Sequence, residues 1–108
     1  MTIVTSAITL LEVLVAPYRS AQLALAERYE ALLMRSRGLT LVNVDLLQLR
    51  TAAALRARHK IKAPDALQLA AAIATRCSTF VTNDRALPSL PGLRIIQLDE
   101  VVRAGRWV

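Results

Sequence analysis

The segment that most restricts how this chain can fold is Lys62-Ala-Pro-Asp65-Ala-Leu-Gln-Leu-Ala-Ala-Ala, followed closely by Thr79-Phe-Val-Thr-Asn-Asp84. The first stretch opens with a proline and an acidic residue and continues as an apolar run, the pattern of a buried helix read from its start. The second is a short β-branched and aromatic strand that ends on an Asx pair. In a parallel α/β layer a helix runs antiparallel to the strand that follows it, so the helix start and the strand end share one edge of the sheet. The spacing therefore predicts that Asp65 and Asp84 lie near each other. Open α/β sheets place their ligands at that edge, and clustered carboxylate oxygens suit Mg²⁺ or Mn²⁺.

The rest of the chain supplies the same alternation. Thr2 to Thr5 favours a strand, and Ser6 caps a helix from Ala7 that Pro17 breaks or kinks. A second amphipathic helix runs from about Ala21 to Arg35, with Leu25, Leu32 and Leu33 on its buried side, Glu27, Arg28, Glu30 and Arg35 outside, and Gly38 as its C-cap. Leu39 to Val44 reads as a buried strand, after which Asp45 caps a helix carrying Leu46, Leu47, Leu49, Ala53 and Leu55. Asp65 opens a helix through about Arg76, Thr79 to Thr82 and Arg94 to Leu98 are strands, and Pro88 and Pro91 mark the loop between them. Strands alternating with helices imply a three-layer α/β/α fold with a mainly parallel sheet. The organisation is one domain over residues 1–102 and a tail, 103–108, that Trp107 could anchor; there is no internal repeat or low-complexity tract.

Composition bounds the function. A chain of 108 residues is one domain, and 55% hydrophobic residues is rich for its size, so exposed helix faces that self-associate are expected. The longest apolar run, Ala7 to Ala16, is interrupted by Glu12 and is too short for a membrane span of about 20 residues. It also lacks the basic flank of a signal peptide. The lone Cys77 forms no internal disulfide and sits at a helix end as a small core residue, which fits a reducing, cytoplasmic setting. A formal charge of +6 favours polyanionic partners. The densest basic segment, Arg56-Ala-Arg-His-Lys-Ile-Lys62, ends one helix and leads into the helix of Asp65. The helix dipole accounts for one or two of these cations, each worth roughly 0.3 to 1 kcal/mol. Arg56, Arg58, Lys60 and Lys62 together would also set phosphate-binding charge beside the carboxylates.

Glu12 joins the same edge, about two turns into the helix that follows the first strand. Taken alone, Asp65 is a helix-start residue and Asp84 an Asx-turn residue. Glu12 is harder to assign a structural part, because it interrupts Ile8-Thr-Leu-Leu-Glu-Val-Leu-Val and a buried unpaired carboxylate costs several kcal/mol. It needs a cation, a donor or water. His59 has only basic neighbours and Cys77 lacks a base, so neither nucleophilic catalysis nor a zinc site is indicated.

Three segments in order, Ser6-Ala-Ile-Thr9-Leu-Leu-Glu12, Pro64-Asp65-Ala-Leu-Gln-Leu-Ala-Ala-Ala and Phe80-Val-Thr-Asn-Asp84-Arg-Ala-Leu, make nearly the whole chain resemble the PIN domain, and within it the small VapC-type ribonuclease toxins. The resemblance implies a Mg²⁺- or Mn²⁺-dependent endoribonuclease, often dimeric and often inhibited by a cognate antitoxin. It also implies that Glu12, Asp65 and Asp84 fall on three of the family's acidic positions, with Thr9 accompanying Glu12, and Thr82 and Asn83 accompanying Asp84. Asp65 and Asp84 are then direct metal ligands, while Glu12 binds through water or orients the nucleophile. Arg85 joins the Arg56 to Lys62 cluster as a contact to the RNA backbone.

The chain departs from the family in one respect. A complete PIN domain begins with a strand bearing another catalytic Asp, and that strand lies in the middle of the sheet; this sequence has no matching Asp. Its absence is expected to leave two strand edges exposed and prone to association. A truncated or degenerate gene product, a start-site choice that leaves out the N-terminus, and a chain completed by another polypeptide all fit. The competing reading is a noncatalytic PIN-like module that binds an antitoxin, itself or nucleic acid.

Overall fold

Four short strands alternate with five helices in a computed structural model that describes residues 3–104, with side chains described through residue 101. In chain order they are β1 (Ile3–Ser6), α1 (Ala7–Arg19), α2 (Leu23–Arg35), β2 (Leu39–Val42), α3 (Leu46–Arg58), α4 (Ala63–Thr75), β3 (Thr79–Thr82), β4 (Arg94–Gln97) and α5 (Leu98–Ala104). The strands form one parallel sheet in the order β2-β1-β3-β4. Residues 105–108, and with them Trp107, lie outside the described residues.

The period-2 alternation of the strands separates two cores. Val4 of β1 and Phe80 of β3 pack on one face with Leu69, Ala71 and Ala72 of α4 and with the free thiol of Cys77. Val81, the neighbour of Phe80, faces the other side with Val13 of α1, Leu33 of α2, and Leu98 and Val101 of α5. Ala52 of α3 closes against Ala66 and Ala70 of α4, where alanines allow the two helices to approach. The sheet is thus covered on both faces, which is the three-layer α/β/α arrangement expected from the sequence.

The central seam differs from expectation. β1 and β3 do not present exposed edges; they pair directly, with Ile3 opposite Thr79, Val4 opposite Phe80 and Thr5 opposite Val81. The buried hydroxyl of Thr5 also donates to the carbonyl of Val81 at 2.7 Å. The two strands meet because their ladder groups and side chains satisfy each other, and the sheet's outer strands are β2 and β4.

Several local boundaries also move. Helix α1 does not break at Pro17 but continues to Arg19: the proline takes only its own N–H out of the ladder, while Ser20 N–H bonds to the Ala16 carbonyl and Gln22 N–H to that of Pro17. Ala21, expected to begin the second helix, takes φ 54 in the turn, so α2 begins at Leu23. Gly38 is not the C-cap of α2: that place belongs to Ser36 in extended backbone, while Gly38, at φ 79, turns the chain toward β2. β2 stops at Val42, short of Val44, because Asn43 turns its carbonyl to the Gln48 side chain and Asp45 takes up its capping position. Leu98 begins α5 instead of ending β4; Asp99 and Glu100 in the first turn favour that start. Among the described residues no helix is long and apolar enough to cross a membrane.

Candidate active site

Each acidic side chain reaches the carboxyl edge of the sheet by a different local device. Ser6 ends β1 and caps α1 by accepting from the Ile8 N–H at 3.1 Å, which starts the helix that presents Glu12. Pro64 lies at the start of α4 and Asp65 in its first turn, where an acidic residue complements the unpaired N–H groups. Asp84 follows β3 and is fixed by two bonds: its backbone N–H donates to Thr82 Oγ1 at 3.0 Å, and its Oδ1 accepts from Ala86 N–H at 2.9 Å. Gln97 of β4 adds a side-chain bond to the Asp84 carbonyl at 3.2 Å.

The expected neighbours do meet. Asp65 and Asp84 lie close enough for each carboxyl to act on the other. Hydrogen bonding with Asp84, burial, and the charges of Asp84 and Glu12 push Asp65 up to about 6, against a partial offset from Lys62. The same hydrogen bonding holds Asp84 below the usual carboxylate range, helped by the Ala86 N–H and Lys62. The pair therefore retains one proton where two isolated carboxyls would have lost both. Glu12 is raised by burial and by the charge of Asp84, and is held down by a bond from Gln68.

Gln68 is the site residue that sequence reasoning missed. Its side chain is fully buried, its Nε2 donates to Glu12 Oε1 at 2.9 Å, and its Oε1 accepts from the hydroxyl of Thr82. The signal was present in the sequence, since Gln68 interrupts an apolar helix as Glu12 does and lies three positions beyond Asp65 on the same helical face. Thr82 thus contacts Asp84 through the backbone and Gln68 through its hydroxyl. Thr9 is also fully buried, but its Oγ1 has no hydrogen-bond partner among the described residues. Asn83 is exposed and lines, with Glu12, Pro17, Tyr29 and Leu98, a cleft of about 360 Å³ whose lining includes Glu12 but neither Asp65 nor Asp84.

The proposed basic contacts fare differently. Arg56, Arg58, Lys60 and Lys62 are all exposed, and Lys62, the residue preceding α4, is near enough to act on both Asp65 and Asp84. Arg56, in the last turn of α3, is partly engaged with the loop that follows, its Nε donating to the Ile61 carbonyl at 3.1 Å. Arg85 pairs with Asp99 of α5 in an exposed ion pair. His59 is the exposed C-cap residue of α3.

Among the described residues no three His, Cys, Asp or Glu side chains are gathered into a preformed metal cage. What the fold assembles is the Asp65–Asp84 pair, with Glu12 in electrostatic range and bonded to Gln68. That donor set fits Mg²⁺ or Mn²⁺. Mg²⁺ keeps several waters and uses one or two carboxylates together with substrate phosphate, and neighbouring carboxyls that repel each other are relieved by a cation.

Residues 1–93 match the family model described as the PIN domain. The chain belongs to the PIN domain family. PIN domains are typically divalent-metal-dependent nucleases. A solved structure described as a toxin-antitoxin complex from Klebsiella pneumoniae is similar to this PIN chain, with a TM-score of 0.60 and 28% sequence identity over 82% of this chain and 68% of that chain. No curated protein matches it. The Asp65–Asp84 pair therefore lies on the strand-end edge of a PIN-type sheet, where open α/β folds place their ligands.

Proposed function

We propose that this chain is a divalent-metal-dependent endoribonuclease of a VapC-like toxin-antitoxin system. The observation that carries the reading is the convergence of Asp65, Asp84 and Glu12 on one edge of the sheet, delivered by three separate elements, with Glu12 and Asp84 linked through Gln68 and Thr82. Asp65 and Asp84 are the residues that would hold Mg²⁺ or Mn²⁺. When bound, such an ion activates water and neutralises charge on the phosphate being cleaved. Glu12 stands beside the pair, where it would orient an attacking water and accept its proton. Lys62 brings a cation to the same edge, and Arg56, Arg58 and Lys60 extend that charge along the adjoining loop to meet the RNA backbone. Arg85 contacts RNA only by exchanging its Asp99 partner for phosphate. The similarity to a toxin-antitoxin complex supports a cognate antitoxin as protein partner. The exposed stripe of Leu11, Val15 and Tyr18 along α1 supports self-association.

The test is cleavage of structured RNA by the purified chain with Mg²⁺, with Mn²⁺ and with EDTA, beside Asp65→Ala and Asp84→Ala. Metal-dependent cutting that both substitutions abolish is the expected result. No cutting by folded wild-type protein would replace the nuclease reading with the noncatalytic PIN-like module. The direct β1–β3 pairing favours that alternative, because it leaves no place between the two strands for one bearing a further Asp.

A further inference from the structure

The geometry points to Gln68 as a positioning residue: its side-chain amide, oriented by the hydroxyl of Thr82, holds the Glu12 carboxylate at the edge where Asp65 and Asp84 meet. The backbone N–H of Asp84 can only donate, and Thr82 Oγ1 receives it at 3.0 Å. The hydroxyl's own hydrogen is then directed to Gln68 Oε1. This leaves the amide NH₂ for Glu12, whose carboxylate can only accept, at 2.9 Å. Turning the amide over would set its oxygen against the carboxylate and strand the Thr82 hydrogen, so both ends of the chain of bonds select the same orientation.

The sequence separations show that this is not a local device. Gln68 and Glu12 are 56 positions apart and Gln68 and Thr82 are 14 apart, so one buried amide joins α1, α4 and β3. Asp84, whose backbone begins the chain of bonds, is also close enough to Asp65 for their carboxyls to act on each other. A movement of the strand end is therefore transmitted to Glu12 through Thr82 and Gln68, and the three acidic groups are held in one mutual arrangement. Residues that orient a site's acidic groups without touching the ligand typically change metal affinity by about 10- to 100-fold when replaced.

This role rests on the proposed metal site, and the test separates the two. Gln68→Met keeps the approximate volume and removes both side-chain bonds. Thr82→Val keeps the shape and never touches Glu12, while Thr82→Ser restores the hydroxyl. For each folded variant, the Mn²⁺ dissociation constant is measured by calorimetry, and the ¹³C resonance of the Glu12 carboxyl is recorded in metal-free protein at a fixed pH. Gln68→Met and Thr82→Val are expected to weaken Mn²⁺ binding about tenfold and to shift the Glu12 resonance, with Thr82→Ser close to wild type. Adding Gln68→Met to Glu12→Gln should cause no further loss of affinity, since the two act through one group. Lowered melting temperatures with the Glu12 resonance and Mn²⁺ affinity unchanged would overturn the proposal and leave Gln68 a packing residue. If Gln68→Met does not fold, the Glu12 resonance in Thr82→Val and Thr82→Ser decides, because Thr82 also holds the Asp84 N–H and Mn²⁺ affinity alone would report on both. If the wild type binds no Mn²⁺, the nuclease reading fails, and the metal-free Glu12 resonance still decides the part played by Gln68.

Discussion

Replacing Asp65 with asparagine removes one charge from a pair that repels itself, and the pH dependence of stability should register the loss. In the wild type the Asp65 carboxyl is pushed up to about 6 from 3.8, so the folded chain holds a proton that the unfolded chain releases. Between these values the folded state binds more protons, and stability falls as pH rises; above about 6 the repulsion is fully present. At about 1.4 kcal/mol per tenfold change in proton affinity, the full rise corresponds to roughly 3 kcal/mol. Asp65 is only partly buried, and solvent screening reduces that figure to about 1 kcal/mol. The carboxylate also favours the start of α4 by roughly 0.3 to 1 kcal/mol, an opposing term that asparagine loses. The slope, not the melting temperature at one pH, is therefore the deciding quantity. Asp84 titrates below its ordinary value, so its contribution is lost only at lower pH, whereas Glu12, raised by burial and by the charge of Asp84, adds to the falling trend in both proteins, so the difference between the two slopes is the part due to Asp65. Thermal melts by circular dichroism across the window should show a falling trend in the wild type and a flatter one in Asp65→Asn. Mn²⁺ should raise the wild-type melting temperature as RT ln(1 + [L]/Kd) and do little for the variant. An equal slope and an equal gain with Mn²⁺ in both proteins would refute the reasoning.

Other substitutions address separate parts of the structure. Asp45→Ala removes the cap that receives Gln48 N–H at 2.8 Å, and should cost about 1 kcal/mol in denaturant titrations while leaving RNA cleavage intact. Phe80→Ala opens the centre of one core and should cost about 3 to 5 kcal/mol, seen as a large fall in the urea midpoint. Lys60→Ala should weaken RNA binding and reduce the magnitude of its log-log salt slope by about 0.7 if one phosphate contact to a single strand is lost, measured by fluorescence anisotropy. Arg85→Ala should change stability by less than about 1 kcal/mol, because its pair with Asp99 is exposed.

The site's two central carboxylates were legible in the sequence because each is fixed by a short-range signal. Pro64 and the apolar run place Asp65 at a helix start, the strand Thr79 to Thr82 places Asp84 at a strand end, and topology does the rest. The Ser6 and Asp45 caps were legible for the same reason, and both accept the expected backbone N–H. Gln68 was not, because its meaning lies in contacts with Glu12 and Thr82 that exist only once α1, α4 and β3 are packed. The β1–β3 seam was hidden for a related reason: a strand's own residues tell which face is buried but not which strand lies beside it. Pro17 does not end α1, because a proline takes only its own N–H out of the ladder and its carbonyl still accepts, here from Gln22 N–H.

The most direct test of the metal-binding claim is a Mn²⁺-soaked crystal structure with an anomalous difference map. The account predicts a peak between the carboxylates of Asp65 and Asp84, with Glu12 reaching it directly or through water, and no such peak in Asp65→Ala. A well-ordered wild-type map with no peak there, or with its only peak elsewhere on the surface, would contradict it.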